Sequence, residues 1–334
     1  MKYSIGLIFV LSFLLLSACN VPADHKIAFV GETQGTYYRL TYFADDTVVS
    51  QRELEVLLQE FDNSVSVYNP TSLVSRVNNG DTTVKVDDYF IQTWNVSQDV
   101  SVKTNGAFDI TVGPLVEAWG FSFREKTPLA SIHIDSLRSL VDYSKITLLD
   151  GKIHKENSNM HIDFNAVAQG VSVDVVSDLL TSKGVKSYLV DIGGEVLAKG
   201  YKPGRQPWRV GIEKPNDNAA YGEEMQAIVA LSNKSLATSG SYRKFYMENG
   251  VRYSHTINPK TGYPVTHTLL SVTVITDVCG YADAWATAMM VLGPEEAQKL
   301  TISLPDVEAL LIYTGEDGNI TTWASKGFSD VMEQ

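Results

Sequence analysis

Asp283 and Thr287 stand four residues apart in an alanine-rich run, ADAWATAMMVLG at 282–293. On a helix that spacing puts them on one face, and Ala284, Ala286 and Ala288 leave the surface around the threonine open. A carboxylate and a hydroxyl are hard oxygen ligands, suited to Mg2+ rather than Zn2+. The same pair also fits a plainer arrangement, in which the carboxylate offsets the helix dipole and the threonine bonds backbone. His255, in His-Thr-Ile-Asn-Pro-Lys-Thr-Gly, can exchange a proton near neutral pH; a histidine in a β-rich segment also serves structure. Asp163 lies where a strand hands over to a helix and suits a helix cap. No Cys/His cluster is present, which argues against a zinc site. There is no GxGxxG in a βαβ setting, no Walker A motif and no GxSxG elbow; Thr238 to Ser241 lack the strand-turn-helix context.

The stretch 104–121, TNGAFDITVGPLVEAWGF, organises the rest. Asn105-Gly106 is a tight turn that tolerates positive φ. Ala107 is small, so the backbone amides there are open to close approach. Asp109 and Thr111 add oxygens within three residues, and Pro114 opens a short helix packed beneath. Such a turn suits a ligand carrying an aromatic ring and phosphates, and equally a glycine turn leading into a core helix.

The elements that position these residues follow from periodicity. Two β-rich runs in 26–43 flank a Gln-Gly turn, a hairpin. Leu54, Leu57, Leu58, Phe61 and Val65 recur at helical spacing over 48–65. Ser72 to Val77 form one or two helical turns, and Asp87 or Asp88 caps a helix running to about Lys103. A short helix is expected near 135–141. Asp150-Gly151 joins two strands, 161–164 forms a short strand, and a helix runs from about Ala166 to Lys183 with Gly184 as its stop. Four β-rich runs at meander spacing follow between Ser187 and Asn233, then a hairpin within 241–253 and a long loop to Thr266. A strand, two helices from 281 and 294, and a final strand pair close the chain. Helices and strands mix without strict βαβ alternation, so the fold class is α+β, with largely antiparallel sheets covered by helices in a single compact unit.

The chain has 334 residues, 20% of them charged, and a net charge of −12. No Lys/Arg run is present to neutralise phosphates, which argues against nucleic-acid binding. Residues 1–18 carry Lys2 and an apolar stretch too short to span a bilayer, ending Leu16-Ser17-Ala18-Cys19. That ending resembles a bacterial lipobox, which implies cleavage before Cys19 and lipidation of the cysteine. The expected layout is a lipoprotein signal at 1–18, a tether at 19–25 and one domain at 26–334. A cell-envelope address follows, on the periplasmic side in a Gram-negative host. Asn20, which is not an aspartate, leans towards the outer membrane. The remaining cysteine, Cys279, has no partner in the mature chain and suits a buried inert thiol.

The stretch 104–121 resembles the signature of the ApbE family, the FAD:protein FMN transferases. Four further segments are similar to that family in the same order: SVYNPTSLVSRVN (66–78), DFNAVAQGVSVD (163–174), ATSGSYRKF with HTINPKTGYPV (237–245 and 255–265), and ADAWATAMMVLG (282–293). Together they span nearly all of the chain after the N-terminal segment. The resemblance implies flavin contacts at Gln34, Tyr68, Ala107, Phe108, Asp109, Asp163, Gln169 and Ile257, with Tyr68 stacking near the isoalloxazine. It implies Mg2+ on Asp283, Thr287 and the carbonyl of Ala166, and His255 as the catalytic base. Two positions depart from the family pattern: Asn258 stands where an aspartate is usual, and Gln34 where methionine is common.

The activity so implied is Mg2+-dependent transfer of FMN from FAD to a Thr or Ser hydroxyl of an acceptor protein, with release of AMP. The acceptor would be a subunit of a membrane redox complex. Two other readings stand beside it: hydrolysis of FAD to FMN and AMP, and a flavin-binding lipoprotein without chemistry.

Overall fold

The computed structural model describes residues 25–121, 131–215, 224–241, 245–248 and 251–333. The strands are β1 (His25–Thr33), β2 (Thr36–Ala44), β3 (Ile146–Leu149), β4 (Lys152–Lys155), β5 (Tyr188–Ile192), β6 (Glu195–Lys199), β7 (Trp208–Glu213), β8 (Met225–Leu231), β9 (Lys234–Gly240), β10 (Phe245–Glu248), β11 (Val251–Ser254), β12 (Leu269–Thr276), β13 (Glu308–Thr314) and β14 (Ile320–Ala324). The helices are α1 (Gln51–Val65), α2 (Leu73–Asn78), α3 (Asp88–Lys103), α4 (Gly113–Ala118), α5 (Ser131–Arg138), α6 (Ala168–Ser182), α7 (Cys279–Leu292), α8 (Pro294–Ser303) and α9 (Lys326–Val331). Asp87 is the residue that caps α3, accepting from Phe90 N at 2.9 Å.

An eight-stranded sheet in the order β1-β2-β5-β6-β9-β12-β13-β14 draws strands from nearly the whole length of the described chain. Every strand pair is antiparallel, as the α+β reading expects. The hairpin turns carry the positive φ that two-residue connections need: 52° and 71° at Gln34-Gly35, 52° and 73° at Asp150-Gly151. Successive side chains of β13 enter different cores. Ala309 and Leu311 pack with α7, while Leu310 and Ile312 pack with Trp208, Val229 and Phe328. The sheet is thus buried on both faces there, and β13 is a continuous apolar run rather than an alternating one.

Two expectations give way. The four runs after Ser187 do not form a meander. β6 pairs with β9, and β7–β8 leaves the sheet as a ribbon whose Trp208, Ile212 and Val229 cover its second face. Residues 161–164 are not a strand either. Ile162 spends its amide and carbonyl on the side-chain amide of Asn78, at 2.8 Å each, and Asp163 N donates to Ile110 O. Those bonds leave no ladder for a neighbouring strand.

α6 and α7 pack on the first face of the sheet, and each caps the other. Asp174 of α6 accepts from Cys279 N and Gly280 N at 2.9 and 2.8 Å, and burial pushes its carboxyl up to about 7. Asp283 of α7 accepts from Gly170 N in the first turn of α6 at 3.0 Å. Both orphan helix starts are thereby satisfied by buried carboxylates. Gly170 makes this possible, because a Cβ there would lie 2.5 Å from Cys279 O and 2.7 Å from Asp283 Cβ. Gly170→Ala is therefore expected to lose about 1–3 kcal/mol of stability through overpacking. Chemical denaturation measures this, and a variant as stable as wild type would show that the helices separate freely.

Candidate functional site

Beside this helix pair lies a cavity of about 510 Å³, within the size range of cofactor sites. Its floor comes from the turn before α6 and from α7, its walls from the 107–116 turn, the β5–β6 turn, β7 and β9, and its rim from the 255–259 loop.

At one end stand Tyr68, Ala107, Phe108, Asp109, Asp163 and Ile257. Tyr68 is 59% exposed, so it is a mouth residue, not a core tyrosine. Its hydroxyl accepts from Asn165 Nδ2 at 3.3 Å, and burial of the phenol, then the charge of Asp163, raises its pKa. The Asn105-Gly106 turn has the expected positive φ, 49° and 76°. Its amides are not open to a ligand, however: Ala107 N donates to Thr104 O and Phe108 N to Thr104 Oγ1. Asp109 is likewise committed. One oxygen accepts from Thr111 N and Oγ1 at 2.8 and 2.6 Å, the other from Tyr143 N at 2.9 Å. It holds the loop that forms the wall. Asp163 does not cap a helix; its Oδ1 accepts from Asn165 N at 2.8 Å, and burial raises its pKa.

At the other end Asp283, Thr287, Ala166 and Gln169 line the same cavity. Ala166 sits in the turn just before α6. Asp283 is 7% exposed and its pKa is raised by burial. Its bond to Gly170 uses Oδ2, so the capping role occupies one oxygen of the two. The Thr287 hydroxyl lies 3.2 Å from Ser239 Oγ. The spacing on α7 thus brings carboxylate and hydroxyl to one face as expected, with a backbone turn opposite.

His255 lines the cavity from the rim, its ring centroid 6.4 Å from that of Phe121 in an edge arrangement. The loop carrying it is fixed on several sides. Ile257 pairs with Pro264, Trp119 Nε1 donates to Gly262 O at 2.8 Å, and Asn258 Oδ1 accepts from Lys260 N at 2.9 Å and Thr261 N at 3.3 Å. These bonds need only an acceptor oxygen, so an amide at 258 serves the turn as a carboxylate would.

Gln34 is not among the residues lining this cavity. Its turn points the amide oxygen at Ser172 Oγ, 3.4 Å away. Cys279 is buried, its thiol pushed up by burial, as an inert core thiol should be. Cys19 lies outside the described residues, and among those described no helix is long and apolar enough to cross a membrane.

Sequence reasoning missed Glu195, Glu213, Thr238 and Ser239, which also line the cavity. Only the Gly193-Gly194 pair before Glu195 signalled a close turn. With Asp109, Asp163 and Asp283, five acidic side chains face this space, and among the described residues no lysine or arginine lines it. A cation entering with a phosphate would offset the charge of these carboxyls. Carboxylate, hydroxyl and carbonyl oxygens form a donor set that fits Mg2+.

The model of the ApbE family matches residues 34–311. The chain is 33% identical over 332 residues to the FAD:protein FMN transferase of Vibrio cholerae, covering 97% of each sequence. It is 33% identical to the FAD:protein FMN transferase of Escherichia coli K12, covering 90% of this chain and 88% of that one. Among solved structures, the flavin transferase ApbE from Vibrio cholerae superposes with a TM-score of 0.82 at 31% identity, covering 92% of this chain and 99% of the other.

Proposed function

This chain is a member of the ApbE family, and from that premise we propose that its cavity binds FAD with the pyrophosphate on Mg2+ and passes FMN to a Thr or Ser hydroxyl of an acceptor protein. It is an enzyme, a transferase that moves FMN from FAD to protein. The observation that carries the cation reading is that Asp283, Thr287 and Ala166 line one end of a cavity faced by five acidic side chains and, among the described residues, by no lysine or arginine.

The isoalloxazine lies at the Tyr68 end, walled by Ala107, Phe108 and Ile257 and met by Asp163. The pyrophosphate lies over the Asp283 end. Mg2+ held by Asp283, Thr287 and the Ala166 carbonyl would neutralise charge on the phosphoryl and leaving oxygens. The acceptor hydroxyl oxygen attacks the FMN phosphorus as the bond from that phosphorus to the AMP oxygen breaks. AMP leaves with the bridging oxygen, and His255 takes the hydroxyl proton. Incubating the soluble domain with FAD and Mg2+, with and without a candidate acceptor, tests the reading: AMP release coupled to a flavin-labelled protein supports it. The exposed mouth at Tyr68 also admits water, and attack by water would give AMP and free FMN with no labelled protein. The acceptor we favour is a membrane redox subunit, approached from the membrane to which this chain is tethered.

The tether is a thioether-linked lipid on Cys19, with the enzyme in the cell envelope. Cys19 precedes β1 by a few residues, and β1 is an edge strand, so the anchor would join the fold at its margin. Intact mass of membrane-extracted protein should show an acylated cysteine at a new N-terminus. An unmodified Cys19 in exported, soluble protein would overturn the anchor.

A further inference from the structure

Glu195 opens β6 directly after Gly193 and Gly194, whose φ values are 67° and 109°. It is 7% exposed, and its Oε2, sealed from solvent, has no hydrogen-bond partner among the described residues. A buried polar atom left unpaired in a native fold calls for an explanation. The space beside it is built. Gly193 carries no side chain, and a Cβ there would come 3.3 Å from Glu195 Oε2 and 2.8 Å from Gln169 Nε2. The niche therefore has an acceptor on one side and a donor on the other, at the wall of the cavity that Asp283 also lines. Burial, then the charges of Asp283 and Asp191, push the Glu195 carboxyl well above the usual range. Asp191 has partners of its own, accepting from Gly194 N at 3.1 Å.

We propose that Glu195 is a further carboxylate of the cation site, acting with Asp283 to make FAD binding depend on a divalent cation. The inference rests on the Mg2+ reading above. A pyrophosphate diester brings two negative charges to two buried carboxyls, with no lysine or arginine lining the cavity among the described residues. Without a cation nothing compensates the diester's charge in a space lined by carboxyls, and a divalent ion bridges the two. A glutamate kept only for packing would lose nothing on becoming its isosteric amide.

The test is the affinity for FAD, read by flavin fluorescence in EDTA and in Mg2+ with no acceptor present. In Glu195→Gln the ratio of the two affinities should fall by about 10-fold or more, as for residues supporting a metal's ligands. FAD binding in EDTA should be no weaker than in wild type, and the metal-free variant should melt at or above wild type, because the amide replaces a buried carboxyl whose Oε2 has no partner among the described residues. An unchanged ratio overturns the proposal, as does a variant that melts lower or fails to fold. Asp283→Asn, measured alongside, separates the two levels. If Asp283→Asn loses the Mg2+ dependence and Glu195→Gln keeps it, only the role of Glu195 falls. If wild type shows no Mg2+ dependence, the cation reading itself falls.

Discussion

Asp283→Ala should all but abolish turnover, with partial recovery at high Mg2+. In the proposed set of three oxygens, with Thr287 and the Ala166 carbonyl, Asp283 is the one acidic member, so its loss should weaken the cation most. The structure adds a complication, because the same carboxylate caps α6 through Gly170 N. Alanine therefore also removes a cap, at a cost of about 1 kcal/mol. Asp283→Asn separates the effects, since an amide oxygen still accepts from Gly170 N while the charge is gone. The asparagine variant should melt close to wild type and still require far more Mg2+ for AMP release. Thr287→Val keeps the shape and removes the hydroxyl that lies against Ser239. It should lose less, and Mn2+ should offset part of the loss. Titrating Mg2+ against AMP release, with a melting curve for each variant, checks the set. A wild-type Mg2+ midpoint in Asp283→Ala would reduce the residue to its capping role.

The double duty of Asp283 shows where sequence reasoning stops. The i, i+4 spacing was legible because helix geometry alone puts residues 283 and 287 on one face. The bond from Gly170 to Asp283 was not, since 113 residues separate them and no local pattern encodes it. Turns were legible for a similar reason to helices. Gln34-Gly35, Asn105-Gly106 and Asp150-Gly151 adopt the positive φ that their residue types permit. What the turns present was not. Thr104 takes up the amides of Ala107 and Phe108, and Gln34 directs its side chain at Ser172. β9 hid in small and polar residues, KSLATSG, which have little strand character of their own and are held by β6 and β12 on either side. Glu195 falls within one of the four β-rich runs after Ser187, with nothing local to mark it as buried, and only the assembled sheet buries it.

His255→Ala should lower FMN transfer by roughly 10²-fold or more at saturating FAD, the scale of a lost general base. Affinity for FAD should stay near wild type, because the interaction lost is one made in the transition state. The residue that could rival it from sequence, Asp109, is bound through both oxygens to Thr111 and Tyr143. Drawing a proton onto that carboxylate would break the loop that shapes the flavin wall. Asp163, Glu195, Glu213 and Asp283 face the cavity too; Glu195 and Asp283 lie at the end proposed for the cation, which would hold their oxygens, Asp163 at the end proposed for the flavin, and Glu213 at the end of β7. His255 lines the cavity at its rim, where the proposed acceptor hydroxyl would enter. Its loop is held by the Ile257–Pro264 bridge, the Asn258 turn and the Trp119–Gly262 bond, so alanine at 255 removes the ring without releasing the backbone. His255→Gln is the companion variant: it retains hydrogen-bonding capacity and cannot take the proton at neutral pH. A base requires both variants to fail alike in transfer while FAD titrations coincide with wild type. Recovery of wild-type transfer by glutamine would make His255 a positioning residue, and the proton would then have to leave through water at the open mouth beside Tyr68.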